Sequence, residues 1–224
     1  MNSSSDRSQV RDAASVVIYR AAASGPEILM GQRGAKAAFM PNKFVFPGGA
    51  VDPDDADMPL RDNLPDPCHS RLAQGISQRL AHALPVAAVR EVMEETGLLL
   101  GEPGHDGAAP WKPFQTAGYV PSAKSMRFVF RAVTPPGRSR RFDARFFLAP
   151  AEGMGGDAAG FTGASDELSH LQWISVERAR KLDLAFITKV VLAEIEPLLS
   201  DPAPPASVPW VENDDPVSDI RRLV

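Results

Sequence analysis

The stretch Arg90-Glu91-Val92-Met93-Glu94-Glu95-Thr96-Gly97-Leu98 decides how this chain is read. Written on a helix, Glu91, Glu94 and Glu95 stand at i, i+3 and i+4 and share one face. Val89, Val92, Met93 and Thr96 take the opposite face, which can be buried. Three like charges on one face repel one another, and a fold gains nothing from that unless a cation sits among them. A hard divalent ion such as Mg2+ takes carboxylate oxygens and keeps positions open for substrate phosphate. Gly97 ends the helix at its C-cap. A second reading stays open on these residues alone: a solvated acidic face held by ordinary ion pairs, with Arg90 placed to pair with Glu94 at i+4.

Upstream lies Phe46-Pro47-Gly48-Gly49-Ala50-Val51-Asp52-Pro53-Asp54-Asp55. Phe44 to Phe46 reads as a short strand, and the two glycines let a backbone or ligand approach closely. Before it, Ala14 to Tyr19 and Glu27 to Arg33 are apolar and β-branched enough to form a hairpin. Residues 58–85 look inserted. They open with Pro59, Pro65 and Pro67, then carry Leu72, Ile76, Leu80 and Leu84 at helical spacing. An extra amphipathic helix is expected there, a lid over the substrate, with Pro85 opening the acidic helix.

Downstream, Leu98 to Leu100, Arg127 to Val133, Phe142 to Leu148 and Glu167 to Ser175 predict strands. Phe114 to Tyr119 predicts a short helix or turn, and His105 a surface loop. Ala151 to Ala164 is Gly-rich and expected to be mobile. Val176 to Leu182 and Leu184 to Leu199 predict helices. The domain plan is a flexible tail over residues 1–12, one domain over 13–200, and a Pro-rich tail over 201–224. That tail has little of its own to bury, so it is expected to wrap the surface or a partner subunit.

Composition bounds the class. At 224 residues, 44% hydrophobic and 23% charged, the chain suits one soluble domain with a full core. A net charge of -4 argues against nonspecific nucleic-acid binding. The single Cys68 suits a reducing compartment. No apolar run approaches the ~20 residues of a membrane span, and the Ser-rich N-terminus lacks the apolar core of a secretory signal. Neither nucleic acid nor membrane is expected as a partner, and a homodimer is compatible with the sequence.

The two stretches together resemble the Nudix hydrolase signature: Gly, five residues, Glu, seven residues, then Arg-Glu-hydrophobe-x-Glu-Glu-x-Gly-hydrophobe. The second half matches at Arg90, Glu91, Val92, Glu94, Glu95, Gly97 and Leu98. The first half departs from the pattern. Counted from Gly49, the acid is Asp55, and the gap to Arg90 is about 27 residues longer than the family's. The insertion, with Thr134-Pro135-Pro136-Gly137 and Arg141-Phe142-Asp143-Ala144-Arg145-Phe146-Phe147-Leu148, looks like the branch that includes peroxisomal coenzyme A diphosphatases. The chain ends Arg221-Arg222-Leu223-Val224 rather than in a peroxisomal address, so a cytoplasmic location is expected.

The resemblance implies an α+β fold: a Nudix-type α/β/α sandwich with a mixed sheet, here with a helical segment inserted in the signature. It implies a Mg2+- or Mn2+-dependent hydrolase acting on a nucleoside diphosphate linked to another group, coenzyme A or acyl-CoA first. ADP-ribose or a dinucleotide comes second, and a non-catalytic ligand sensor third. The expected metal ligands are Glu91, Glu94, Glu95 and Asp55. Glu94, Arg90 and Glu167 are the expected catalytic residues, with Asp166 and Glu152 behind Glu167 as the further acid. Gly48, Gly49, Arg33, Arg141 and Arg145 are the expected substrate contacts, and Arg127, Arg138 and Arg140 are further candidate phosphate clamps.

Overall fold

The computed structural model describes residues 9–104, 110–214 and 217–224. His105 lies outside them. The chain builds β1 (Val10–Arg20), β2 (Glu27–Arg33), β3 (Phe44–Val45), β4 (Gly48–Ala50), a 3-10 turn (Pro53–Asp57), α1 (Cys68–Leu72) and α2 (Gln78–Thr96). It continues through β5 (Gly101–Pro103), α3 (Lys112–Ala117), β6 (Tyr119–Pro121), β7 (Arg127–Val133), β8 (Arg141–Pro150), β9 (Leu168–Ser175), α4 (Val176–Ala179) and α5 (Phe186–Ile195). A second 3-10 turn (Glu196–Leu199), β10 (Val208–Asp214) and β11 (Val217–Leu223) close it.

The main sheet runs β11-β10-β7-β8-β1-β2-β3, with β4 also on β1 and β9 also on β2. It is mixed, because β1 lies parallel to β8 and β10 parallel to β7 while the other pairs are antiparallel. Alternation along each strand sends side chains to opposite faces. Val16, Ile18 and Phe147 meet Leu84, Ala88 and Val92 of α2 on one face. Val17, Phe146 and Leu148 meet Val191, Leu192 and Ile195 of α5 on the other. The result is the α/β/α layering expected from the sequence. Along one edge, β1 changes partner: Tyr19 and Arg20 pair with β2, and Ala13 to Ser15 pair with β4. The sheet forks there, and α2 packs across the fork against β1, β4 and the 3-10 turn.

Three expectations are corrected. The sheet begins at Val10 rather than after residue 12, because Val10 to Asp12 pair with Arg141 to Asp143. The 58–85 segment is not one separate helix. α1 ends at Leu72, Ser77 caps a new helix by accepting from the Leu80 N–H at 3.2 Å, and α2 then runs unbroken through Pro85 to Thr96. Pro85 has no N–H to offer Ala81, but its ring is buried with Leu84 and Val86, and that burial offsets the missing bond. Leu72 and Leu84 face the core, with Ile76 and Leu80 packed against it, so their apolar stripe forms no lid.

The Pro-rich tail forms the β10–β11 hairpin at the sheet edge, where Val208 and Leu223 enter the core. Two arginines staple it. Arg71 donates to the carbonyls of Pro205 and Ala206, and Arg127 to those of Leu198, Asp201 and Ala203. Val208 and Leu223 each stabilise the fold by about 1.5–3 kcal/mol, so truncation after Ser207 should lower the melting temperature by roughly 10 °C in calorimetry.

Candidate active site

The C-terminal half of α2 carries the acidic face, and Gly97 caps it with a left-handed φ of 71°. Arg90 is the hub. Its Nε and Nη2 each donate to one oxygen of Asp55 at 2.9 Å, a bidentate pair. Nη2 also donates to the Ala50 carbonyl at 3.0 Å. Nη1 reaches Glu91 at 2.8 Å and Glu94 at 3.1 Å. Burial alone would lower the Arg90 pKa, but the bonds to Asp55 and the charge of Glu91 outweigh it and raise the value above an ordinary arginine's. Arg90 is therefore a fixed cation that sets two of the three helix carboxylates.

Asp55 is corrected as a metal ligand. It is 2% exposed, and the Arg90 fork takes both its oxygens while the Asp52 N–H donates to one of them at 2.8 Å. Both of its oxygens are thus engaged by neighbouring donors. The shorter acid fits because the 3-10 turn carries it to the guanidinium.

Glu95 is 2% exposed and accepts the Gly48 N–H at 2.8 Å. Burial pushes its carboxyl up to about 8; the Gly48 bond and Arg33 pull down, while Glu91 and Glu167 push up. Glu91 is likewise raised, by burial first, against the opposing pull of Arg90, with Glu94 and Glu167 adding to the rise. Glu167 itself is exposed at the mouth of β9. The structure thus brings Glu91, Glu94, Glu95 and Glu167 into mutual electrostatic range. Among the described residues no three acidic, His or Cys side chains already converge as a cation cage. The donor set nevertheless fits a hard cation. It is all carboxylate oxygen, two of its members are raised by burial and by neighbouring charge, and Glu94 is half-exposed beside them.

Gly49 sits against this cluster. A methyl group there would lie 2.3 Å from a Glu91 carboxylate oxygen. Gly49→Ala should therefore displace Glu91 and weaken Mn2+ binding by about tenfold or more, as one misplaced donor does. Calorimetric titration checks this, and an unchanged affinity would mean that Glu91 adapts without cost.

Arg33 ends β2 near enough for its charge to act on Glu95, and its Nε is buried with no hydrogen-bond partner. Arg145 and Arg141 are corrected as substrate contacts. Arg145 is 1% exposed and lies between Asp12, at 2.5 Å, and Asp143, at 3.2 Å; burial lowers its pKa. Arg141 donates to the carbonyls of Thr134 and Asn213. Both tie strands of the sheet together, and Arg127 holds the segment that leads into the C-terminal hairpin. Glu152 binds the Ala21 N–H at 3.2 Å, at the far end of β1 from Gly49, so it is no further acid for this cluster. Asp166 is exposed next to Glu167, and Arg138 and Arg140 are exposed on the loop before β8.

The Gly-rich loop of residues 151–164, expected to be mobile, carries its own hydrogen bonds. Asp157 accepts from Ala159, Gly160 and Thr162, and the Ser165 N–H donates to the Glu94 carbonyl at 2.8 Å. That last bond fixes the segment bearing Glu167 to the acidic helix. Sequence reasoning missed two groups that shape the site, the Gly48 N–H and the Ala50 carbonyl. Both are backbone, and only the unusual Gly-Gly pair signals them.

No family model matches the chain. A Caenorhabditis elegans protein carried under the name nudix hydrolase 7 is 27% identical over 196 residues, which is 81% of this chain and 56% of that protein. The chain thus spans just over half the length of that curated relative. The crystal structure of a NUDIX hydrolase from Alicyclobacillus acidocaldarius superposes with a TM-score of 0.63 at 27% identity, covering 87% of this chain and 93% of that one. The MutT protein of Methanosarcina mazei Go1 superposes with a TM-score of 0.50 at 17% identity over 84% of this chain and 94% of that one.

Proposed function

We propose that this chain, which has the Nudix fold, is a metal-dependent hydrolase of the Nudix type that splits the diphosphate of a nucleoside diphosphate linked to another group. One observation carries the reading. Buried Glu95 and partly buried Glu91, on the helix that bears the signature, crowd against Glu94 and Glu167, whose charges add to the effect of burial on them. Glu91, Glu94 and Glu95 would hold Mg2+ or Mn2+, which when bound neutralises the diphosphate and acidifies a water.

The chain's own residues do the positioning that phosphoryl transfer chiefly needs. Arg90, itself held by Asp55 and Ala50, orients Glu91 and Glu94. The Gly48 N–H orients Glu95. Glu167, exposed two residues after the Ser165 bond to the acidic helix, would accept a proton from the attacking water. Arg33 offers its charge to a substrate phosphate. The substrate is a small molecule, and such chemistry with one buried free cysteine suits the cytoplasm.

Coenzyme A or an acyl-CoA is the first substrate to try, on the resemblance alone, since the Arg141 to Leu148 run is used for sheet pairing and buried ion pairs. ADP-ribose or a dinucleotide comes second. The intact set of acids disfavours a sensor. The test is phosphate-product release from coenzyme A, acyl-CoAs, ADP-ribose, NADH and diadenosine polyphosphates with Mg2+ or Mn2+, each against EDTA. Metal-dependent cleavage of one class confirms the reading and names the substrate. No cleavage, with no shift of the melt by either ion, would overturn it.

A further inference from the structure

The outer edge of the main sheet is β11, paired on one side to β10 and to nothing on the other among the described residues. Edges of this kind are normally shielded. This one is not shielded by bulk or by cover: Ile220 at its centre is 70% exposed and Val224 at its end 83%. They are two of the four large apolar residues that the described surface exposes.

The outward backbone can be assigned. In the hairpin Pro209 stands opposite Arg222 and Val211 opposite Ile220. Pro209 has no N–H, so the 209–222 pair cannot exchange two hydrogen bonds. Antiparallel pairs alternate between bonded and non-bonded, so the 211–220 pair is non-bonded as well. The amides of residues 218, 220 and 222 then point away from the hairpin, and that of Ile220 meets the Asp219 carboxylate of its own chain, which the second strand would displace.

We infer that β11 pairs with β11 of a second copy, antiparallel, about a two-fold axis through Ile220. In that register Ile220 exchanges both backbone bonds with its own counterpart. Residues whose numbers sum to twice 220 face each other, so Asp219 stands across from Arg221 twice, once on each side of the axis. Each strand is thus complementary to itself in charge, as an isologous contact requires. Within one chain Arg221 already pairs with Asp219 at 2.8 Å and with Glu212 at 3.1 Å. Both partners lie on the face that the second strand would share, so the contact extends an existing charge ladder. Arg222 points to the opposite face, held by Glu194 at 3.3 Å, and does not obstruct the pairing. The occupant is another copy rather than an unrelated peptide, because this register alone places opposite charges together at both positions with apolar Ile220 between them.

Sedimentation velocity of the full chain over about 1–200 µM tests this, spanning the affinity of small interfaces. The mass should rise with concentration toward twice 24.1 kDa. Asp219→Arg sets two positive side chains face to face on each side of the axis, and Arg221→Asp two negative ones. Each variant alone should dimerise about tenfold or more weakly, since like charges across a pair repel. An equimolar mixture should restore the dimer, because the two strands are then opposite in sign. Unchanged circular dichroism melts verify that both variants fold. A wild-type chain that stays monomeric throughout, or a mixture that fails to recover, overturns the proposal.

Discussion

Glu95→Gln should abolish metal-dependent hydrolysis, with a loss of about a thousandfold, or ~4 kcal/mol of barrier, and leave the fold intact. The carboxylate is buried and accepts the Gly48 N–H. An amide oxygen of the same shape can still accept that bond, so the backbone around Gly48 and Gly49 stays in place. What the amide cannot supply is charge to a cation. The effect belongs in kcat/KM and in Mn2+ affinity, and the metal-free protein should melt no lower than the wild type near neutral pH. Activity near that of the wild type would sink the metal assignment at Glu95.

The same residue sets a pH dependence. Its folded pKa is raised to about 8 from an ordinary 4.5, by burial first. The metal-free fold therefore holds a proton that the unfolded chain releases. The stability it contributes is fully present below the unfolded value and is lost as pH rises through the folded one. Glu95→Gln, which mimics the protonated form, should flatten the melting profile of metal-free protein across that window. A cation competes with the same proton, so metal binding should tighten as pH rises.

Helical spacing made the acidic face legible, because three carboxylates at i, i+3 and i+4 can share only one side of a helix. β2 was legible to its ends, Glu27 and Arg33, because an apolar run bounded by turn residues has few other uses. The role of Asp55 was not. A carboxylate's identity and spacing do not say whether it will meet a cation or a guanidinium, and only the 3-10 turn decides that. Arg145 was not legible for a related reason: strand arginines point either outward or into a buried ion cluster, and its partner Asp12 lies 133 positions away. The hairpin of residues 208–223 was hidden by composition. Its prolines read as a wrapping tail, while the two apolar residues that hold it, Val208 and Leu223, are spaced too far apart to form a pattern. In the inserted segment the leucine periodicity was correctly seen but placed on the wrong helix, since Pro85 looked like a start and is an interior residue.

Asp55→Ala separates a positioning acid from a metal ligand. Removing it leaves Arg90 buried and still charged, with its Nε unanswered and only Ala50 on Nη2. Breaking one partner out of a buried pair costs about 3–5 kcal/mol, which for a chain of this size is a drop of roughly 6–20 °C in the melting temperature. Turnover should fall as well, because Arg90 can then swing and release Glu91 and Glu94 from their set positions. Mn2+ affinity, measured well below the lowered melt, should weaken by about 10–100-fold without being abolished, as expected when an outer-shell partner of the ligands is removed. Asp55→Asn should fall between the two in stability, since it keeps the shape of the contact and loses the charge. The opposite pattern, an unchanged melt with Mn2+ binding abolished, would return Asp55 to the metal.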